Sequence, residues 1–78
     1  MNEILEKVIS IVEETLDVED VTADTLMQDD LGIESIEFYE LLSNLEMAFR
    51  IKIPEKILSN VETVDDIAYE VEKILEKK

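Results

Sequence analysis

At 78 residues the chain is sized for one domain, and it contains neither cysteine nor histidine. That excludes a disulfide framework, thiolate chemistry and the commonest general base and metal ligand. Twenty-one acids against seven bases leave a formal net charge of −14, which repels phosphate backbones and anionic lipid and so argues against nucleic acid and membrane as partners.

With 46% hydrophobic residues, stability must come from a packed apolar core. Between Val8 and Phe49 the chain holds twelve Asp and Glu and no Lys or Arg, a distribution suited to basic patches on protein partners. The opening Met1-Asn2-Glu3-Ile4 lacks the basic region of a signal peptide. No stretch approaches the roughly 20 apolar residues of a spanning helix. A cytoplasmic location is expected, or an organelle reached through a removed transit peptide.

Apolar residues at Ile4, Leu5, Val8, Ile9, Ile11, Val12 and Leu16 recur at helical spacing. They predict a first helix capped by Asn2, with Glu3 in its first turn, ending between Thr15 and Asp17. Val18 to Glu34 reads as a long loop in which Val21, Leu26, Leu31 and Ile33 are single apolar anchors. A loop of that length in a small domain usually carries a function.

A second helix is predicted from Ser35 to Phe49. Leu41, Leu42, Leu45, Ala48 and Phe49 form its buried stripe, with Ile36 and Phe38 near its start, and Glu37, Glu40 and Glu46 lie on the exposed face. Ile51 to Pro54 is too short for a useful strand, and Pro54 suits the start of a short helical turn from Glu55 to Asn60. Thr63 then caps a last helix whose apolar face is Val64, Ile67, Ala68, Val71, Ile74 and Leu75. Lys73, Lys77 and Lys78 complement its C-terminal dipole. Met1 and the trailing lysines are expected to fray. The pattern is all-α: a single domain over residues 1–78, built as a small four-helix bundle of three long helices and one short, with a long loop between the first two.

Ser35 stands where the acidic loop Asp29-Asp30-Leu31-Gly32-Ile33-Glu34, which contains the chain's single glycine, meets the second helix. Its hydroxyl falls at the mouth of that helix, where unpaired N–H groups and the positive end of the dipole favour an attached anion. Taken alone, a serine there reads as an ordinary N-cap. No base is at hand to activate it, so it reads as an attachment point and not as a nucleophile. Ser10, Ser43 and Ser59 read as local polar positions. Asp17, Glu19, Asp20, Asp24, Asp29 and Asp30 do not make a calcium loop, because a frame starting at Asp17 or Asp20 lacks the required glycine. No dedicated metal site is expected, only weak divalent binding that relieves self-repulsion.

Asp30-Leu31-Gly32-Ile33-Glu34-Ser35-Ile36 resembles the Asp-Ser-Leu attachment motif of acyl carrier proteins. The resemblance runs on through Glu40-Leu41, Leu45-Glu46, Phe49, Ile53-Pro54 and Thr63-Val64, and covers essentially the whole chain. It implies a monomeric four-helix bundle with no catalytic activity. A dedicated phosphopantetheinyl transferase (holo-carrier synthase) would attach 4′-phosphopantetheine covalently to Ser35, with Gly32, Glu34 and Ile36 forming the surrounding motif. The arm would carry acyl groups as thioesters, for delivery to the enzymes of fatty-acid, polyketide or related synthesis. Glu37, Glu40 and Glu46 would belong to the acidic helix that meets basic patches on the acyl-transferring and synthase enzymes.

Glu34 stands where the family usually has Asp, and Ile36 where it usually has Leu. Phe38 and Tyr39 are larger than the side chains such carriers usually place after the motif, and they would fill an acyl cavity or contact a particular cargo. Two other readings are an aminoacyl or polyketide carrier and, in a different class, an unmodified acidic interaction module.

Overall fold

The computed structural model describes residues 3–77. Asn2, expected as the first cap, and Met1 and Lys78, expected to fray, lie outside that range, whereas Lys77, also expected to fray, ends the last helix with its N–H donating to the Ile74 carbonyl at 3.2 Å. Three helices form where the apolar spacing places them: α1 over Glu3–Leu16, α2 over Ser35–Phe49 and α3 over Val64–Glu76. Between α2 and α3, Glu55–Asn60 is a 3₁₀ helix. Its tighter turn shows in the Ile57 N–H, which donates to the Pro54 carbonyl at 3.1 Å. The fourth helix expected from the sequence is therefore not an α-helix, since six residues behind a proline support little more than a turn.

Two of the helices end on a left-handed residue that is not glycine. Asp17 follows α1 at φ 56° and Arg50 follows α2 at φ 58°, both left-handed. Each reversal lets the next N–H reach back into the helix: Val18 donates to Glu13 and Ile51 to Glu46, both at 3.1 Å. At the other end of the chain's logic, Thr63 caps α3 as expected, its Oγ1 accepting the Asp66 N–H at 3.1 Å.

Helix α1 packs against both α2 and α3. The deepest side chains come from all three helices: Val8 and Val12, Leu41 and Leu45, Val64 and Val71. Segments between the helices complete the core with Val21, Met27, Ile33, Ile51 and Ile53. Asn44 ties α2 to α1 by donating to Thr15 Oγ1 at 2.8 Å. The Lys7 ammonium lies 5.1 Å from the Phe49 ring, near the C-terminal end of α2 where a cation is favoured.

The buried stripe of α2 is Phe38, Leu41, Leu42 and Leu45. Ala48 and Phe49, expected within it, are only partly buried, because the helix ends there with one flank open. Ile36 departs further: it is 76% exposed. At about 100° per residue it points directly away from the stripe centred on Leu45, so its apolar side chain meets solvent.

Candidate functional site

The loop that presents Ser35 is a strap. Its residues 25–27 lie antiparallel to residues 62–64, with a bridge between Leu26 and Thr63. Met27 N–H donates to the Glu62 carbonyl at 2.9 Å, Val64 N–H to Thr25 at 3.1 Å and Asp65 N–H to Ala23 at 3.0 Å. On the other side, the Val21 N–H donates to the Glu13 carboxylate of α1 at 3.1 Å. Of the expected anchors, Val21 and Ile33 are buried and Leu26 and Leu31 partly so, while Met27, passed over in the sequence, is the deepest at 1% exposed.

Beyond Met27 the strap makes one helical turn. The Asp30 carboxylate accepts the Leu26 N–H at 2.8 Å, and Gly32 N–H donates to the Gln28 carbonyl at 2.9 Å. Gly32 then reverses the chain at φ 58°. A side chain there would meet no neighbour, so the requirement is conformational and not one of space. The reversal drops Ile33 into the core and leaves Glu34 extended as the N-cap of α2.

Ser35 is thus the first residue inside α2 and not its cap. That corrects the ordinary reading of a serine at this junction. Glu34 takes the cap position, and its N–H donates to the Glu37 carboxylate at 2.9 Å. The Ser35 side chain is exposed, and among the described residues no hydrogen bond is made to its hydroxyl. Beside it lies a groove of about 380 Å³ lined by Gln28, Ile33, Glu34, Phe38 and Tyr39. Phe38 and Ile33 are its buried floor, and Tyr39, 49% exposed, is its wall.

The three acids expected on the docking face are placed differently from one another. Glu40 is exposed. Glu37 closes the start of α2, as above. Glu46 is half-buried, and its carboxylate accepts the Ile53 N–H at 2.7 Å, pinning the segment after α2. Both hold the backbone. Sequence spacing gave no sign of that duty.

An exposed hydroxyl on the first turn of a helix, beside a groove with an apolar floor, suits a phosphodiester with a flexible arm. The first-turn N–H groups favour the phosphate, while Glu34 and Glu37 oppose it in part. The phosphopantetheine attachment site family matches residues 6–70. An acyl carrier protein of Prochlorococcus marinus (strain MIT 9515) is 47% identical over 66 residues, 82% of either chain. That of Borreliella burgdorferi (strain ZS7) is 42% identical over 74 residues, 92% of either chain.

This chain belongs to the acyl carrier protein family. A solved Mycobacterium tuberculosis structure assigned as an acyl carrier protein superposes on it with a TM-score of 0.82 at 28% identity, covering 90% of this chain and 96% of that one. The carrier's prosthetic group is 4′-phosphopantetheine, held covalently. Among the described residues of the carrier, no helix is long and apolar enough to cross a membrane.

Proposed function

We propose that Ser35 is the attachment residue and that the carrier delivers acyl thioesters to fatty-acid synthesis or a related pathway, in the cytoplasm and as a monomer. The observation that carries this reading is the Ser35 hydroxyl itself, exposed on the first turn of α2 and released from capping by Glu34. When bound, the group supplies the thiol that a chain without cysteine lacks. The chain's own residues position it: Gly32 and Ile33 fix the approach, Glu34 caps, and Ile36 stands exposed beside the serine as the motif's apolar member. No residue acts on the thioester, so the chain is a carrier and not a catalyst.

Residues 1–78 act as one carrier domain, and the 3₁₀ helix takes the place of the short helix in the expected four-helix bundle. The first partner is a phosphopantetheinyl transferase, and the later ones are acyl-transferring enzymes with basic docking patches. Glu40, Glu37 and Glu46 face those patches.

Intact-mass measurement after reaction with a broad-specificity transferase and coenzyme A tests the assignment. One phosphopantetheine is gained by the parent chain and none by Ser35→Ala. An unchanged parent mass supports the unmodified interaction module instead. Loading assays with fatty-acyl and aminoacyl ligases then separate the cargo classes.

A further inference from the structure

Asp29 and Asp30 are adjacent, exposed and equal in charge, yet they differ in what they hold. The Asp30 carboxylate accepts the Leu26 N–H at 2.8 Å, and the Asp30 N–H donates to the Leu26 carbonyl at 3.0 Å. Among the described residues the Asp29 carboxylate takes no hydrogen bond or ion pair. The two bonds between Leu26 and Asp30 close the helical turn through which the strap reaches Gly32 and Ser35. A turn this short does not sustain itself, since its first N–H groups lack partners unless a side chain supplies one. Beside it runs a backbone relay. The Met27 N–H donates to the Glu62 carbonyl, just before α3, at 2.9 Å, and the Met27 carbonyl accepts the Ile33 N–H at 3.1 Å. The Asp30 carboxylate thus stands between the anchored half of the strap and the serine that the strap presents.

We propose that Asp30 is a positioning residue for the modification of Ser35, acting through the turn it closes and not as a docking charge. The proposal rests on the reading of Ser35 as the attachment residue and adds a second residue on which that reaction depends. In the reaction, Ser35 Oγ bonds the pantetheine-side phosphorus of coenzyme A. The P–O bond to adenosine 3′,5′-bisphosphate breaks, that group leaves with the electron pair, and the seryl proton passes to a base of the transferase. The attacking oxygen must meet the phosphorus in line with the departing one, so the direction from which the loop delivers Ser35 governs the rate. Without the bond to Leu26, residues 26–31 sample other conformations, and only the fraction in the closed turn is competent. The requirement is for an acceptor oxygen at position 30 and not for a negative charge.

The test is the rate of arm transfer from coenzyme A by a broad-specificity phosphopantetheinyl transferase, followed by intact mass on the parent, Asp29→Ala, Asp30→Ala and Asp30→Asn. Asp30→Ala is expected to lower kcat/KM about tenfold or more, mainly through KM, in both about 10 mM and about 300 mM NaCl. Asp30→Asn keeps an acceptor oxygen without the charge and is expected to stay within about threefold of the parent. Asp29→Ala removes the same charge and stays within about twofold once the salt is high. Amide exchange of the unmodified chain reads the cause directly: the Leu26 and Gly32 N–H groups exchange faster in Asp30→Ala, and those of α1 do not. Thermal unfolding confirms that each variant is folded, and Asp30→Ser, whose oxygen stops one bond short, stands in if Asp30→Ala does not fold. Parental rates for Asp30→Ala, unchanged exchange at Leu26, or an Asp30→Asn as slow as Asp30→Ala with both recovering in salt overturns the proposal. A parent that gains no arm sinks the Ser35 assignment and this proposal with it. A parent that gains it, beside an equally fast Asp30→Ala, sinks the proposal alone.

Discussion

Thr63 and Asp66 cap each other: the Asp66 N–H donates to Thr63 Oγ1, and the Thr63 N–H donates to the Asp66 carboxylate, both at 3.1 Å. The same carboxylate accepts the Glu62 N–H at 2.9 Å. Those bonds, that from Glu62 foremost, hold the Asp66 carboxyl below its ordinary value of 3.8. A depressed folded value means that the stabilisation is whole above the unfolded value and is lost as pH falls through the folded one. Asp66→Asn therefore costs stability at neutral pH, and its gap from the parent closes below pH 3.8. Denaturant unfolding across that range checks this; a gap independent of pH contradicts it. Thr63→Ala costs about 1 kcal/mol, as lost caps do.

Glu46 separates charge from architecture. Glu46→Ala strands the part-buried Ile53 N–H and is expected to destabilise by about 1–3 kcal/mol. Glu46→Gln keeps an acceptor and loses less. Glu40→Lys, at an exposed position, leaves the melting temperature nearly unchanged while slowing partner association. Melting curves beside association rates distinguish the two acids. Equal melting temperatures for Glu46→Ala and the parent contradict the structural role.

Asp17 holds a left-handed backbone that costs an ordinary side chain roughly 1–2 kcal/mol and an aspartate somewhat less. Asp17→Gly relieves that strain and is expected to stabilise the fold by about 0.5–1 kcal/mol net of the entropy glycine adds to the unfolded chain. For a domain this size, that is a rise of several degrees. A lower melting temperature contradicts it.

Salt should stabilise. Among the described residues, the ion pair of Lys73 with Glu70 at 3.8 Å is exposed at the lysine and contributes little against a net charge of −14. Raising NaCl from about 10 mM to about 300 mM is expected to raise the melting temperature by screening self-repulsion. A fall shows that attractive pairs dominate.

Helix positions were legible because each carries its own periodic signal. The Thr63 cap and the Pro54 turn were legible because their residue types permit few alternatives. What escaped the sequence depends on contacts far along the chain. Met27 sits between Leu26 and Gln28 with no periodic context, and it is buried because residues 62–64 pair with its segment. Glu46 looks like any surface acid until the chain turns back to bring it Ile53. Arg50 ends a helix where the usual sign is glycine, so its left-handed turn had no residue type to announce it. At the site, Ser35 was placed correctly at the helix mouth, but the neighbour that takes the cap was not foreseen. A glutamate is a weaker cap signal than the serine beside it.

The strap's pairing with residues 62–65 also sets an order of assembly. During synthesis the seryl segment leaves the ribosome before the residues it must pair with exist, so it gains those backbone anchors only once residues 62–65 have been made. A modifying enzyme that recognises the fixed loop, and not the bare tripeptide, would thereby act only on chains extended past that pairing.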